Sequence, residues 1–358
     1  MDFDLTPDQE SLRGLARDIF TGHCTLPRIE AVEASGEKFD RDLWQVLADA
    51  GLLGVAIPED QGGLGLGLVD LMLVLSELGR AVASVPLAWT AVASLVLLEL
   101  ASDDQRDAWL PGVASGDLIV TTVLEQCALS VSAVGDALTG TVTAAPYSHI
   151  ADLILIPVGS EVYAIDPRDA GVESVPVFAT NHEWQGQLTL SAVPAQRIGE
   201  GAAATMSARA MVALAAVQSG VTEAALRLAA DYTSQRLQFE KPLSSFQGVA
   251  LKAADGYVDA AAIRSTMLQA AWLLERGEPA VAEVLSAAWW AAEGGQHCVH
   301  ITQHLHGGMG ADVTYPVHRY FLWGKQIELM LGGASAIQER LGNALLGLPN
   351  AGDELVLT

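Results

Sequence analysis

The chain has 358 residues, 51% of them apolar and 17% charged, with Gly 34 and Pro 14, a balance that buries a large core rather than staying disordered. Its length exceeds the roughly 250–300 residues at which one core stops growing, so two or three domains are expected. Lys+Arg 19 against Asp+Glu 43 leave a net charge of −24, a field that repels phosphate backbones and anionic membrane faces and so argues against nucleic-acid and membrane partners.

The opening MDFDLTPDQE has no basic start followed by an apolar run, and Cys24, Cys127 and Cys298 stand apart. This predicts neither a secretory signal nor a disulfide framework, and a cytosolic compartment. Thr6-Pro7-Asp8-Gln9 reads as a helix start, with Thr6 as N-cap, Pro7 at N1 and Gln9 closing a capping box; Leu12, Leu15, Ile19 and Phe20 follow at helical spacing. A second helix is expected over about 40–50, with Leu43, Val46 and Leu47 inward and Gly51 ending it. The run 59–67 (EDQGGLGLG) is too rich in glycine for a helix and reads as a loop. Helical pattern resumes over about 69–101. Its most apolar part, 85–98, carries Pro86, Trp89, Thr90 and Ser94 and falls short of the ~20 residues of a membrane span, so it reads as a buried helix.

From about Leu118 the texture changes to LIVTTVL, LTGTVT, DLILIPV, EVYAID and LTLSAV, punctuated by Gly, Pro, Asp and Asn, which predicts a compact β domain. From Gly201 the chain is Ala-rich and helical again, with breaks at Lys241-Pro242, Gly277-Glu278-Pro279 and 307–310, giving four or five helices of an antiparallel bundle. The expected fold is therefore mainly α with a middle β domain: helical over 1–116, β over 117–200, a helical bundle over 201–358.

Four features bear on chemistry. His297, His300 and His304, with His306 beyond, lie at i, i+3 and i+7 of one helix; the spacing can ligate a metal, but no Cys, Asp or Glu nearby in sequence completes a set, which favours helix-end packing and hydrogen bonding. The 62–67 glycines lack the strand-before, helix-after context of a dinucleotide loop. In 236–247 (RLQFEKPLSSFQ), Arg236, Gln238, Phe239, Phe246 and Gln247 fall at a helix junction, where a guanidinium, aromatic rings and amides can grip a phosphate and a flat ring. Gly307-Gly308-Met309-Gly310 lets a backbone or a pyrophosphate approach closely.

In order, these segments resemble the acyl-CoA dehydrogenase family over nearly the whole chain. GLLGVAIPEDQGGLGLGLVDLMLVLSELGR from Gly51 is similar to its N-terminal signature, and WLPGVASGD from Trp109 to the segment leading into its β domain. RLQFEKPLSSFQ is similar to its Arg-x-x-Phe-Gly segment, with Glu240 in place of the Gly, and QHLHGGMG and LGGASAIQ occupy the places of its Gln-x-x-Gly-Gly and Tyr-Glu-Gly-Thr motifs.

The resemblance implies a tetramer around FAD, an acyl-CoA substrate, and electron-transfer flavoprotein as electron acceptor. It implies a carboxylate that takes the α-proton while flavin N5 accepts the β-hydrogen as hydride. Here Gly332 stands at the usual catalytic Glu, and the alternative position around 207–211 reads Ser-Ala-Arg-Ala-Met, so no catalytic residue is assigned. Glu125, Glu223 and Glu328 are substitute candidates that read more simply as structural or solvated carboxylates.

The flavin-ring side departs too: 122–128 reads TVLEQCA where the family has Thr-Glu-Pro-x-x-Gly-Ser-Asp, and Ala144-Ala145-Pro146 replaces Trp-Ile-Thr. The family's ADP-side set is kept in Arg236, Gln238, Phe239, Phe246, Gln247, Gly307 and Gly308, with His304 where Gln is usual. The resemblance thus implies a heteromer, similar to α2β2 enzymes of actinobacterial steroid side-chain degradation, in which a second acyl-CoA dehydrogenase chain supplies base and flavin pocket. Two other readings stay open: a non-catalytic interaction protein with the same fold, and a relative running flavin oxidase or monooxygenase chemistry.

Overall fold

The structure, a computed structural model, describes residues 3–128 and 130–347; the last part of the expected 201–358 bundle, 348–358, lies outside them. Along the chain, helices give way to strands and then to helices again. The contacts group the chain into two units, one of 27–71 and 84–213 and the other of the N-terminal segment to Leu26, 72–83 and 214–347.

The first unit opens with α2 (Leu26–Ala34) and α3 (Arg41–Asp49). The sequence reading did not anticipate α2, which is short and weakly amphipathic. A forked pair from Arg28 to Asp40, Nη2–Oδ1 2.6 Å and Nε–Oδ2 2.9 Å, ties it to the N-cap of α3. Gly51 takes the left-handed φ of 74° expected after α3. The 59–67 run forms a single 3-10 turn, Glu59–Gln61, followed by loop.

The helical pattern over 69–101 is two helices, α4 (Leu68–Ala81) and α5 (Leu87–Leu100). Val82 has φ 45° and Pro86 offers no N–H, so the chain cannot continue helically between them. Every residue of α5 from Leu87 to Leu97 is buried. Its Thr90 hydroxyl donates to Val120 O at 2.8 Å, satisfying a hydroxyl that burial would otherwise strand. WLPGVASGD, expected to lead into the β domain, is mostly the C-terminal half of α6 (Asp103–Ser115). A Ser102/Gln105 capping box starts that helix and Gly116 (φ 79°) ends it.

The β domain comprises β1 (Val120–Thr122), β2 (Ser132–Val134), β3 (Ala137–Pro146), β4 (Leu153–Val158), β5 (Glu161–Ile165), β6 (Val172–Phe178), β7 (Trp184–Pro194) and β8 (Gln196–Ile198). One sheet is ordered β1-β4-β5-β8, the other β2-β3-β7-β6. Val142, Ile154, Ile156, Leu188 and Val193 lie in the core that the strands bury. The short β2 and β8 and the exposed β6 carry weak alternation and were not expected from sequence. Against β7, β3 shifts register between Leu138 and Gly140 and again between Val142 and Ala145. At Gly140 (φ 140°) a Cβ would stand 2.2 Å from Ser130 O, so only glycine fits the first shift.

The second unit holds α1 (Pro7–His23), α4, the greater part of α7 (Ala202–Gln235), α8 (Gln247–Glu275), α9 (Val281–Leu305), α10 (Val317–Met330) and α11 (Ala334–Leu346). The predicted capping box of α1 is present. α4 and α7 cross at glycines: a Cβ on Gly79 would meet Val217 O at 2.0 Å, and one on Gly220 would meet Ser76 O at 1.8 Å. Beside that crossing Glu77, 2% exposed, receives Arg17 and Arg80 at 2.7 and 3.0 Å.

Candidate functional site

The residues singled out in 236–247 and 303–310 converge in the second unit. α7 ends at Gln235, and Arg236 N–H donates to Tyr232 O at 2.8 Å. The chain then makes a two-residue hairpin, β9 (Leu237–Gln238) against β10 (Lys241–Pro242), whose central residues Phe239 and Glu240 have φ 50° and 62°. Such a turn favours Gly or Asn at both positions. Phe239 is 87% exposed, its ring edge-on to Phe246 at 6.4 Å.

Leu243 N–H closes the excursion on Arg236 O at 2.9 Å, and Phe246 opens α8 without a side-chain cap. The N-terminus of a long helix, with Gln247 first in it, favours an anion there. Ala229, Ile301 and Leu305 pack with Val249 and Ala253 beneath, joining the ends of α7, α8 and α9. At the end of α9, His304 is exposed, and Gly307 (φ 58°) and Gly308 have no atom within 4 Å of an added Cβ. Arg236, Gln238, Phe239, Gln247, Gly307 and Gly308 are all exposed and Phe246 half-buried. This exposed guanidinium, uncapped helix start and open glycine pair fit a diphosphate with a flat ring.

Gly332 has a structural role. It follows α10 with φ 85°; its N–H donates to Leu329 O at 3.0 Å and that of Gly333 to Glu328 O at 3.1 Å. This is the Schellman arrangement, in which a left-handed residue satisfies the last carbonyls of a helix. A helix stop, and no carboxylate, stands there.

The substitute carboxylates are engaged elsewhere or turned to solvent. Arg80 Nη2 holds Glu223 Oε2 at 2.6 Å; burial acts to raise that carboxyl, but Arg80, Arg264 and Arg17 outweigh it and lower the pKa, which weakens it as a base. Glu328 pairs with Lys325, and Glu125 is exposed in a 3-10 turn. Arg209, within the alternative 207–211 position, pairs with Glu99 at 2.7 Å.

On the β side, 144–149 is filled by the chain's own groups. Pro146 brings no donor, and its carbonyl accepts Thr121 Oγ1 at 2.8 Å. Tyr147 is fully buried at φ 50° and donates to Glu183 Oε1 at 3.2 Å, while Asn181 Nδ2 donates to Glu183 Oε2 at 2.6 Å. Burial pushes Glu183 up to about 7, against those hydrogen bonds. His149 stacks on Trp184 at 4.0 Å and meets Glu37 O at 2.8 Å, and Phe39 stands edge-on to Tyr147 at 6.4 Å. The segment is occupied by the chain's own hydrogen bonds and stacked rings. The Tyr147–Glu183 network was not foreseen; the Asn181 and Glu183 that complete it lie more than thirty residues along.

His297 Nδ1 lies 2.8 Å from Asp259 Oδ2 and the His300 ring stands edge-on to Phe321 at 4.8 Å, the packing and hydrogen-bonding role favoured from sequence. Among the described residues no three His, Cys, Asp or Glu side chains gather for a metal, and no helix is long and apolar enough to cross a membrane. One face of α8 stays open: Leu251, Tyr257 and Val258 are 58, 67 and 60% exposed, interleaved with exposed Ala250, Ala254 and Ala261.

Comparison with known proteins gives the family and the fold. The family descriptions "Acyl-CoA dehydrogenase, N-terminal domain" and "Acyl-CoA dehydrogenase, C-terminal domain" match residues 6–117 and 199–344. Acyl-CoA dehydrogenase FadE27 of Mycobacterium tuberculosis is 36% identical, over 98% of this chain and 100% of its own length. Among solved structures, a steroid ACAD complex, Tcur3481-Tcur3483, aligns with TM-score 0.91 and 44% identity over 95% of this chain and 98% of that one. The ChsE4-ChsE5 complex from Mycobacterium tuberculosis aligns with TM-score 0.92 and 35% identity over 98% and 100%. The family's relatives depend on FAD. On the two matched domains and on full-length identity above 30%, the chain belongs to the acyl-CoA dehydrogenase family.

Proposed function

We propose that this chain is the non-catalytic subunit of a heteromeric, FAD-dependent acyl-CoA dehydrogenase, completing the FAD site of a second acyl-CoA dehydrogenase chain that carries the base and the flavin pocket. The observation that carries the reading is the pairing of a helix-stopping Gly332 at the base position with an assembled, exposed cluster at 236–247 and 307–308.

FAD, when bound, supplies the hydride acceptor for α,β-desaturation of an acyl-CoA. This chain's residues bind and orient its ADP half. Arg236 and the N–H groups at the start of α8 meet the diphosphate, Phe239 and Phe246 flank a flat ring, Gln238, Gln247 and His304 offer hydrogen bonds, and Gly307-Gly308 allow close approach. The open apolar face of α8 is suited to cover by a partner helix. A steroid-type acyl group is the substrate class that the likeness to the Tcur3481-Tcur3483 steroid ACAD suggests, and electron-transfer flavoprotein is the proposed acceptor. The filled 144–149 segment favours one rival, a scaffold of the same fold that binds no flavin.

Visible absorption of the chain alone, and then of the chain mixed with an acyl-CoA dehydrogenase encoded beside it, separates the two. Flavin held only by the mixture supports the subunit, and flavin held by neither supports the scaffold. In the mixture, Arg236→Ala removes a charge-assisted bond of roughly 1.5–3 kcal/mol, about 10- to 100-fold in FAD affinity. Unchanged affinity refutes the assignment.

A further inference from the structure

His306 is the last residue before the glycine pair and is 1% exposed. Its Nδ1 lies 2.7 Å from Thr302 O, so that nitrogen carries the proton, since a carbonyl only accepts. Nε2 is buried and faces the Leu228 backbone on α7. The ring stacks on Tyr232 with centroids 4.7 Å apart and planes at 28°, and Tyr315 closes on it at 5.2 Å. Tyr232 and Tyr315 themselves meet edge-on at 6.4 Å. A phenylalanine would fill such a slot and keep the stack while losing the ring's polar contacts. What the imidazole adds is a ring plane pinned to its own helix by the Thr302 bond.

With the Leu228 contact and the packing of Ala229 on Ile301 and Leu305, the stack joins two arms of the site. One is the end of α7, where Tyr232 O accepts the N–H of Arg236 at 2.8 Å. The other is 307–311, whose glycines bring no side chain; on its far side it is held by Gln303 Nε2 donating to Gly310 O at 3.2 Å.

We propose that His306 is a positioning residue: stacked between Tyr232 and Tyr315, it fixes the Gly307-Gly308 turn against the Arg236 end of α7 and so sets the spacing at which the two grip a nucleotide diphosphate. The ligand half of this statement rests on the ADP-cradle reading above; the mechanical half does not.

The test uses His306→Ala, His306→Asn and His306→Phe, each prepared as the full chain and as the complex with its partner. In the full chain, hydrogen exchange should show the amides of 233–238 and 307–311 speeding up together in His306→Ala and His306→Asn, by roughly two- to tenfold, the worth of an aromatic pair. Phe should restore both segments to within about twofold, because it keeps the stack. FAD affinity of the complex should follow the same order, and Tyr232→Leu combined with His306→Ala should weaken it no more than either alone.

Exchange that changes only in 307–311, or a Phe variant as loose as Ala, overturns the proposal. If Arg236→Ala leaves FAD affinity unchanged while the two segments still loosen together, the cradle reading fails and the coupling stands. If Arg236→Ala weakens binding and His306→Ala does not, the coupling has no bearing on the ligand and the proposal fails.

Discussion

Placing a glutamate where the resemblance puts the family's base, Gly332→Glu, probes both the helix stop and the proposed loss of the flavin pocket. Gly332 sits at φ 85°, with no atom within 4 Å of an added Cβ, so the substitution meets no clash and its cost is conformational. A left-handed L-residue costs about 1–2 kcal/mol, and the lower unfolded-state entropy of a non-glycine residue returns about 0.4–1 kcal/mol of that. The net loss is about 1 kcal/mol, a fall in Tm of about 2–4 °C for a domain of a few hundred residues. Gly332→Asn should lose less, since Asn tolerates the left-handed region.

Thermal unfolding measures this part, and a Glu variant as stable as wild type would show that the Schellman stop is not needed. The second part is anaerobic titration of the isolated variant, supplied with added FAD, with an acyl-CoA, watched at the flavin absorption band. No bleaching is expected, because Pro146, Tyr147 and His149 occupy the segment that should face the ring. Turnover by the lone variant would refute that account of the β domain.

Glu183 is buried, with its pKa raised from 4.5 to about 7. The folded state therefore binds more protons than the unfolded between those values, and this group's stabilisation is full below about pH 4.5 and lost as the pH rises through 7. Across that window, denaturant unfolding of wild type should lose up to about 3 kcal/mol relative to Glu183→Gln; parallel pH profiles would disprove the buried neutral carboxyl. Gly79→Ala drives a methyl to 2.0 Å from Val217 O, and overpacking of this kind costs about 1–3 kcal/mol. Wild-type stability by urea titration would show that α4 and α7 are not in close contact.

Much of the fold is written locally. The Thr6 capping box, the left-handed Gly51 and the breaks at Lys241-Pro242 and 307–310 each depend on a few neighbouring residues, and all appear where the sequence puts them. The glycine at 332 is equally local: it brings no side chain that could act as a base. Tertiary structure decided what rests on distant partners: α2 is held by Arg28 to Asp40, and β6 pairs along β7 although its own residues are exposed. The same holds at the site. Arg236 and Gly307 were visible in the sequence as separate motifs, but the His306 ring that joins them through Tyr232 was not, because residues seventy-odd positions apart meet only once α7 and α9 pack. Periodicity reports which face of an element is apolar; which face it meets is fixed by the folded chain.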